Sequence, residues 1–184
     1  MTTLQRQIET RLSVERAFAY IADFANSMHW DPGVVASEAV DPTSVGLGSR
    51  YRLRVRLGGR TAAMEYSITS FDAPHVVVLT GKGSGVTAVD EIRFTPIAAG
   101  TRIDYTADIT LGGVLRLAQP FLGGAFRKLA DDALGGMRTK LDALADEQTT
   151  QPAPSVDGED APSVDGKDAQ PAQPAPSIAV DPAP

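Results

Sequence analysis

The feature that most constrains this chain is a long amphipathic helix, predicted near its end over residues 115–147. Apolar residues recur there in steps of three and four, which places them in one stripe along a helix. The stripe consists of Leu122, Phe126, Leu129, Ala133, Met137, Leu141 and Leu144. At 1.5 Å per residue, the span from Gln119 to Asp146 is about 40 Å long. A helix of that length needs a wide surface to cover, and the residues before it predict a sheet.

Short runs of alternating apolar and polar side chains precede the helix. The clearest run is Arg50–Leu57, where four arginines alternate with tyrosine, leucine and valine. Period-two alternation is typical of strands with one buried and one solvated face. Seven such runs are predicted as strands, at residues 3–12, 34–40, 50–57, 60–71, 76–80, 86–96 and 101–111. Glycines at positions 81, 83 and 85 predict a loop between the fifth and sixth strands.

A helical segment is predicted between the first two strands, from Val14 to Met28. Ser13 is a suitable N-cap, and the apolar residues step by four, three, four and three. The pattern fits one amphipathic helix or two short helices broken near Phe24. Pro32 and Gly33 end the segment. The short turns between the later strands favour an antiparallel meander with one face covered by the long helix.

Composition excludes several kinds of site. The chain has no cysteine and only two histidines, which argues against cysteine chemistry and a multi-histidine metal site. The first residues lack the apolar run of a signal peptide, and no run of about 18 apolar residues exists. We therefore expect a cytoplasmic protein with no integral membrane segment. The arginines of Arg50–Leu57 are interpreted as a solvated outer face whose charge is offset by Glu65 and other acidic groups. The folded part is nearly neutral overall, so it gives no electrostatic reason to bind nucleic acid.

The composition changes near Thr149. Eight of the 13 prolines lie beyond Thr150, together with six acidic residues and one lysine. Such a segment buries too little apolar surface to offset its chain entropy. The sequence therefore predicts a folded domain over residues 1–148 and a disordered acidic Pro/Ala-rich tail over residues 149–184.

Several short motifs resemble the START-like or SRPBCC superfamily, and more narrowly its polyketide cyclase/dehydrase group. They are SVERAFAYIADF from Ser13, Trp30-Asp31-Pro32, GTRIDY from Gly100, and the long C-terminal helix. The resemblance implies an α+β helix-grip (Bet v 1-like) fold, in which a curved seven-stranded antiparallel sheet wraps around the C-terminal helix. Short helices stand between strands 1 and 2. It also implies a cavity for hydrophobic small molecules, without a universal catalytic motif and without a cofactor.

The alternation and the helical stripe together predict which residues line that cavity. The candidate ligand-binding residues are Trp30, Tyr51, Leu53, Met64, Tyr66, Asp90, Ile92, Phe94, Tyr105, Phe121, Phe126 and Leu129. Each aliphatic member also fits ordinary core packing. Four glycines within the long helix, at positions 123, 124, 135 and 136, suggest close approach, a bend or room for a ligand, because glycine is unfavourable inside a helix.

Asp90 is the most informative single residue, because its register points it inward among apolar neighbours. A buried carboxylate needs hydrogen-bond partners or takes up a proton, and a tyrosine hydroxyl is a suitable partner. The alternative is a bulge that turns Asp90 into water. Trp30 is interpreted either as a wall at the cavity mouth or as a hydrophobic plug.

The main hypothesis is a protein that binds a lipid-like or polyketide-like molecule between sheet and helix. One alternative is a cyclase or dehydratase in which Asp90 and Tyr105 act as acid and base. A second alternative is a protein-interaction module. An enzyme is expected to bring two or more titratable groups together in the cavity, a carrier one or none, and an interaction module a filled interior. The sequence gives no indication of the oligomeric state.

Overall fold

The fold is described from a computed structural model, which covers residues 1–41, 44–57, 60–83, 85–113 and 119–150. Seven strands, two α-helices and one 3₁₀ helix make up this part of the chain. In chain order they are β1 (Thr2–Thr10), α1 (Val14–Ala22), the 3₁₀ helix (Phe24–His29), β2 (Val34–Ala39), β3 (Arg50–Leu57), β4 (Arg60–Asp72), β5 (Val76–Gly83), β6 (Val86–Ile97), β7 (Gly100–Leu111) and α2 (Gln119–Thr150).

The seven strands form one curved sheet in the order β1-β7-β6-β5-β4-β3-β2. Every neighbouring pair is antiparallel. Strands β2 to β7 pair with their neighbours in the sequence, and β1 closes the order by pairing with β7. This arrangement confirms the predicted helix-grip architecture, with α1 and the 3₁₀ helix between the first two strands.

The helical segment between β1 and β2 is two short helices, one of the two predicted arrangements. The break falls at Asp23, whose side chain accepts a hydrogen bond from the backbone N–H of Ala25 at 3.2 Å. That bond caps the 3₁₀ helix, since a carboxylate satisfies an N–H that has no partner within the helix.

Strand β5 is longer than predicted, because Gly81 and Gly83 belong to the strand and not to the loop. A Cβ atom on Gly81 would overlap the ring of Tyr66, and one on Gly83 would collide with the backbone oxygen of Ala63. These two glycines therefore allow close packing within the sheet. Their role cannot be read from a single sequence, where glycine usually indicates a turn.

Helix α2 extends to Thr150, three residues beyond the predicted end at Glu147. Its predicted start at Leu115 lies outside the described residues, as do the hairpin glycines 58 and 59 and the tail from residue 151 onward. Polar contacts hold α2 to β1: Arg6 pairs with Asp131 at 2.5 Å, and Thr10 donates to Asp142 at 2.9 Å. Neither described α-helix is long and apolar enough to cross a membrane.

The two faces of the sheet differ as the alternation predicts. Tyr51 and Leu53 of β3 are buried against the helices, whereas Arg52 and Arg54 are exposed on the outer face. On that outer face Arg50 lies 3.8 Å from Glu65 of β4. The candidate site therefore lies on the inner face, under α2.

Candidate functional site

A cavity of about 150 Å³ lies between the inner face of the sheet and α2. Most of its wall is apolar. The sheet and the turn before β2 contribute Leu4, Gly33, Val34, Leu53, Val55, Met64, Val86, Ala88, Ala107 and Ile109, the 3₁₀ helix contributes Phe24, and α2 contributes Phe126, Leu129, Ala130, Ala133 and Leu134. The polar lining groups are Asp31, Tyr66, Asp90 and Tyr105, with Arg56 exposed to solvent. The predicted gap between sheet and helix is therefore present, and it is small.

Asp90 is the buried polar centre of this cavity. It points inward from β6, opposite Ala107 of β7, and is only 5% exposed. Its Oδ1 accepts a hydrogen bond of 3.0 Å from the hydroxyl of Tyr105. Burial raises the pKa of Asp90 to about 7, and hydrogen bonds from Tyr105 and Tyr66 partly oppose that rise. The carboxyl can therefore gain or lose a proton near neutral pH.

Two tyrosines lie beside Asp90, Tyr105 from the neighbouring strand β7 and Tyr66 from β4, which is separated from β6 by β5. Burial and then the negative charge of Asp90 raise the pKa of both Tyr66 and Tyr105 well above the usual value for tyrosine. Both hydroxyls therefore stay protonated at neutral pH and act as donors to the carboxylate. The absence of a side chain at Gly81 lets the ring of Tyr66 lie against β5.

Asp31 is a second carboxylate in the same cavity, and the sequence interpretation did not propose it. It follows the 3₁₀ helix, and its Oδ1 accepts a hydrogen bond of 2.7 Å from the backbone N–H of Gly33. Burial raises the pKa of Asp31 to about 6; the bond from Gly33 lowers it, and the charge of Asp132 raises it. The only sequence signal for Asp31 is the motif Trp30-Asp31-Pro32, which does not by itself indicate a carboxylate at a cavity.

A close helix contact holds the turn that carries Asp31. A Cβ atom on Gly136 of α2 would collide with the carbonyl oxygen of Trp30. Gly136 therefore lets the backbone of α2 approach the turn closely, which is one of the predicted reasons for glycine in this helix. A Cβ atom on Gly124 or Gly135 would have no neighbouring atom within 4 Å, so close approach does not explain these two glycines.

The structure brings seven of the twelve predicted ligand-binding residues to the cavity wall: Leu53, Met64, Tyr66, Asp90, Tyr105, Phe126 and Leu129. Tyr51, Ile92 and Phe94 are instead buried elsewhere in the core. The side chain of Phe121 lies outside the described part of the molecule. The predicted inner face was thus correct for these strands, but only part of that face borders empty space.

Trp30 also lies away from the cavity wall, although its turn contributes Asp31. The indole is 4% exposed, and its ring packs edge-on against Phe24 with centroids 6.0 Å apart. This position corresponds to the predicted plug and not to the predicted wall at the mouth. Four of the predicted residues therefore do not border this cavity: Trp30, Tyr51, Ile92 and Phe94.

The arrangement is suited to hydrogen bonding and proton transfer in an apolar setting. Asp31, Asp90 and the two tyrosines border one small volume, and the charge of Asp31 acts on Asp90. A group that titrates near neutral pH is well matched to general acid–base work. Within the described residues, no group of three or more acidic, histidine or cysteine side chains is placed to hold a metal ion.

Comparison with known families and structures agrees with this fold. A sequence model of the family described as "Polyketide cyclase / dehydrase and lipid transport" matches residues 1–142. No curated protein matches the sequence at a significant level.

Solved structures with this architecture come from several bacteria. The ZhuI aromatase/cyclase from Streptomyces sp. R1128 is 14% identical with a TM-score of 0.67, covering 78% of this chain and 95% of its own. A START superfamily protein from Mycobacterium smegmatis is 15% identical with a TM-score of 0.61, covering 79% and 98%. The protein TTHA0849 from Thermus thermophilus is 16% identical with a TM-score of 0.65, covering 78% and 99%. At these identities the likeness concerns the fold alone, and it agrees with the helix-grip architecture described above.

Proposed function

Because the chain belongs to the family of polyketide cyclases/dehydrases and lipid-transport proteins, we propose that its cavity binds a hydrophobic small molecule through one polar end. The observation that carries this proposal is the apolar cavity around a buried Asp90 that already accepts a hydrogen bond from Tyr105. Pockets for small molecules typically combine an apolar wall with a few convergent polar groups.

The size of the cavity limits what it encloses. A volume of about 150 Å³ holds roughly one aromatic ring, whereas pockets for larger ligands measure about 300–1,000 Å³. Leu129 is 36% exposed and Arg56 is exposed, so both mark where the cavity wall reaches the surface. We infer that a ring-sized end of the ligand enters the cavity and that the remainder lies near these two residues.

The expected affinity supports a ligand larger than one ring. Burying roughly 150 Å² of one ring at about 25 cal/mol per Å² contributes about 4 kcal/mol before the costs of association. Even before those costs are subtracted, that contribution corresponds to a Kd no tighter than about 1 mM. Hydrogen bonds to Asp90 and contacts at the mouth therefore have to supply the rest of the affinity.

Filling the cavity tests the proposal. Ala133→Leu adds a branched side chain to the cavity wall, and Ala143→Leu makes the same change at an exposed position of α2. We expect Ala133→Leu to abolish binding of one-ring probes such as phenol and 2-phenylethanol, measured by ligand-observed NMR, and to remove any lipid seen by native mass spectrometry. Ala143→Leu should behave as the wild type. Equal binding to all three proteins would refute the cavity as the site.

A second candidate function is catalysis of dehydration or cyclisation. Four titratable groups border the cavity, which is the arrangement expected of an enzyme, and the hydrogen bond between Tyr105 and Asp90 also favours it. In the dehydration of a β-hydroxy ketone, the carboxylate of Asp90 would remove the α-proton while the Tyr105 hydroxyl protonates the departing hydroxyl group. Water leaves, the carbon–carbon double bond forms, and Asp90 returns its proton to Tyr105. This route requires Asp90 to be ionised and Tyr105 to be protonated, which is compatible with a hydrogen bond from the hydroxyl to the carboxylate.

The two candidate functions differ in what Asp90 contributes. For a catalyst, Asp90→Asn should retain binding of a small β-hydroxy ketone and lose its conversion, followed by the absorbance of the enone product. Asp72→Asn, which changes an exposed carboxylate on β4, is the matched control. Conversion that persists in Asp90→Asn would leave only the binding function. An interaction module with a filled interior is the least supported interpretation, because the cavity is present.

A further inference from the structure

The charges around the cavity are almost all of one sign. Asp31 and Asp90 border it, and neither forms an ion pair with a cation within the described residues. The other charges that act on the two carboxyl groups are those of Asp108 from β7 and Asp132 from α2, and both are negative.

Arg56 is the only cationic side chain among the described lining residues, and it is exposed near the C-terminal end of β3. An exposed guanidinium is largely screened by water and does not neutralise a carboxylate in the interior. The partners that Asp31 and Asp90 do have are neutral donors: the N–H of Gly33 and the hydroxyls of Tyr105 and Tyr66. The interior therefore lacks a compensating positive charge.

The excess of negative charge around the cavity should favour cationic ligands over anionic ones. A carboxylate ligand would bring a further negative charge next to two acidic groups where water screens poorly, which is unfavourable. An ammonium group has three donors and no acceptor, so it can hydrogen-bond to carboxylate oxygens and compensate their charge at the same time.

We propose that the cavity selects a ligand whose buried end is a protonated amine on a ring-sized apolar group, held between Asp90 and Asp31. The proposal rests on the binding function proposed above and names the chemical class of its ligand. Neutral alcohols are expected to bind more weakly, and carboxylates such as fatty acids to be excluded.

Binding of an amine should also release protons. Since burial raises the pKa of Asp90 to about 7, part of its population carries a proton at neutral pH. An ammonium group placed beside the carboxylate favours the ionised form, so that proton moves to the buffer on binding. A neutral alcohol of the same shape has no such effect.

The experiment compares three probes that differ only in the polar end: 2-phenylethylamine, 2-phenylethanol and 3-phenylpropanoate. Isothermal titration calorimetry at pH 7 should show the amine binding at least tenfold more tightly than the alcohol, and no binding of the carboxylate. Repeating the titration in buffers of different ionisation enthalpy should reveal proton release with the amine alone.

Variants assign the preference to the two carboxyl groups. Asp90→Asn and Asp31→Asn should each reduce the affinity for the amine at least tenfold. The loss for the alcohol should be smaller, because an asparagine amide can still form a hydrogen bond but cannot compensate a positive charge. Asp72→Asn should change neither. Because two separate variants are used, a folding defect in one leaves the other informative.

Three unfavourable outcomes have different meanings. Equal affinity for amine and alcohol, with both lost in Ala133→Leu, would overturn the charge preference and leave the binding function intact. If none of the three probes binds to the wild type, the charge preference is refuted, whereas the proposed function is refuted only if native mass spectrometry also finds no ligand that Ala133→Leu removes. Preferential binding of the carboxylate would refute the charge preference outright.

Discussion

The inner face of the sheet has two ends that are filled differently, although the same strands form both. At one end of β6, Phe94 packs edge-on against Phe18 of α1 with ring centroids 5.3 Å apart, and Ile92 is fully buried. At the other end of the same strand, Ala88 and Asp90 border the cavity. We call these the filled end and the hollow end.

The difference follows from side-chain size and from the element that covers each end. Large side chains of α1 and β6 meet at the filled end, and Phe71 adds a second edge-on contact to Phe18 at 5.2 Å. At the hollow end several small residues border the cavity, with Ala88 and Ala107 on the sheet and Ala133 on α2. The strands therefore supply a continuous inner face, whereas the volumes of the residues on it decide where the cavity lies.

The largest expected effect compares two phenylalanine truncations. Phe94→Ala at the filled end should reduce the free energy of unfolding by about 5 kcal/mol, because a fully enclosed ring leaves an unfilled cavity. Phe126→Ala at the hollow end should cost about half as much, since the Phe126 ring already borders empty space and has fewer contacts to lose. Urea denaturation of both variants measures the difference, and equal losses would contradict the two-ended description.

The second prediction concerns pH. The pKa of Asp90 is raised to about 7 in the folded protein, so the folded state binds more protons than the unfolded state between about pH 4 and pH 7. The contribution of Asp90 to stability is therefore present at low pH and is lost as the pH rises through 7. The full shift corresponds to roughly 4 kcal/mol.

Asp90→Asn should remove this part of the pH dependence. Denaturation curves recorded from pH 4 to pH 8 should show that the variant loses less stability than the wild type as the pH rises. Asp72→Asn provides the control at an exposed carboxylate. Parallel stability profiles for Asp90→Asn and the wild type would show that the folded protein does not raise the pKa of Asp90.

A pair of neighbouring glycines in α2 tests how the helix is held above the hollow end. Gly136→Ala should destabilise the protein by about 2 kcal/mol, because the added methyl group would meet the backbone of Trp30. Gly135→Ala has open space and should stabilise it by about 1 kcal/mol through helix propensity. Thermal denaturation distinguishes the two signs, and stabilisation by both substitutions would rule out the close contact.

The smallest expected effect comes from removing one of two tyrosine hydroxyls, which differ in the group that accepts their hydrogen bond. Tyr105→Phe removes a donor to the carboxylate of Asp90, and Tyr51→Phe removes a donor to the backbone oxygen of Ala22 at 3.3 Å. Each should cost about 1 kcal/mol. Only Tyr105→Phe should raise the pKa of Asp90 further, as followed by NMR titration of its carboxyl carbon. A shift of the same size in Tyr51→Phe would contradict the local assignment.

Much of the fold could be predicted because it depends on short-range patterns. The period-two alternation of β3 and β6 indicated which side chains face inward, and it gave the direction of Asp90 correctly. Asp31 was not found by the same reasoning. It lies in a turn with no periodicity, and it joins the cavity only through contacts between its turn and the rest of the fold.

The sequence by itself determined the order of the elements, the inner and outer faces of the strands and the apolar stripe of α2, because hydrophobic periodicity is a local property of the chain. Only the tertiary structure decided how far along each strand the packing extends and where a glycine is required. Gly81 has to lack a side chain because of Tyr66, and Gly136 because of Trp30, and both partners are distant in the chain. A cavity is the space left between elements, so its position depends on how α1 and α2 cover the sheet, which no local pattern specifies.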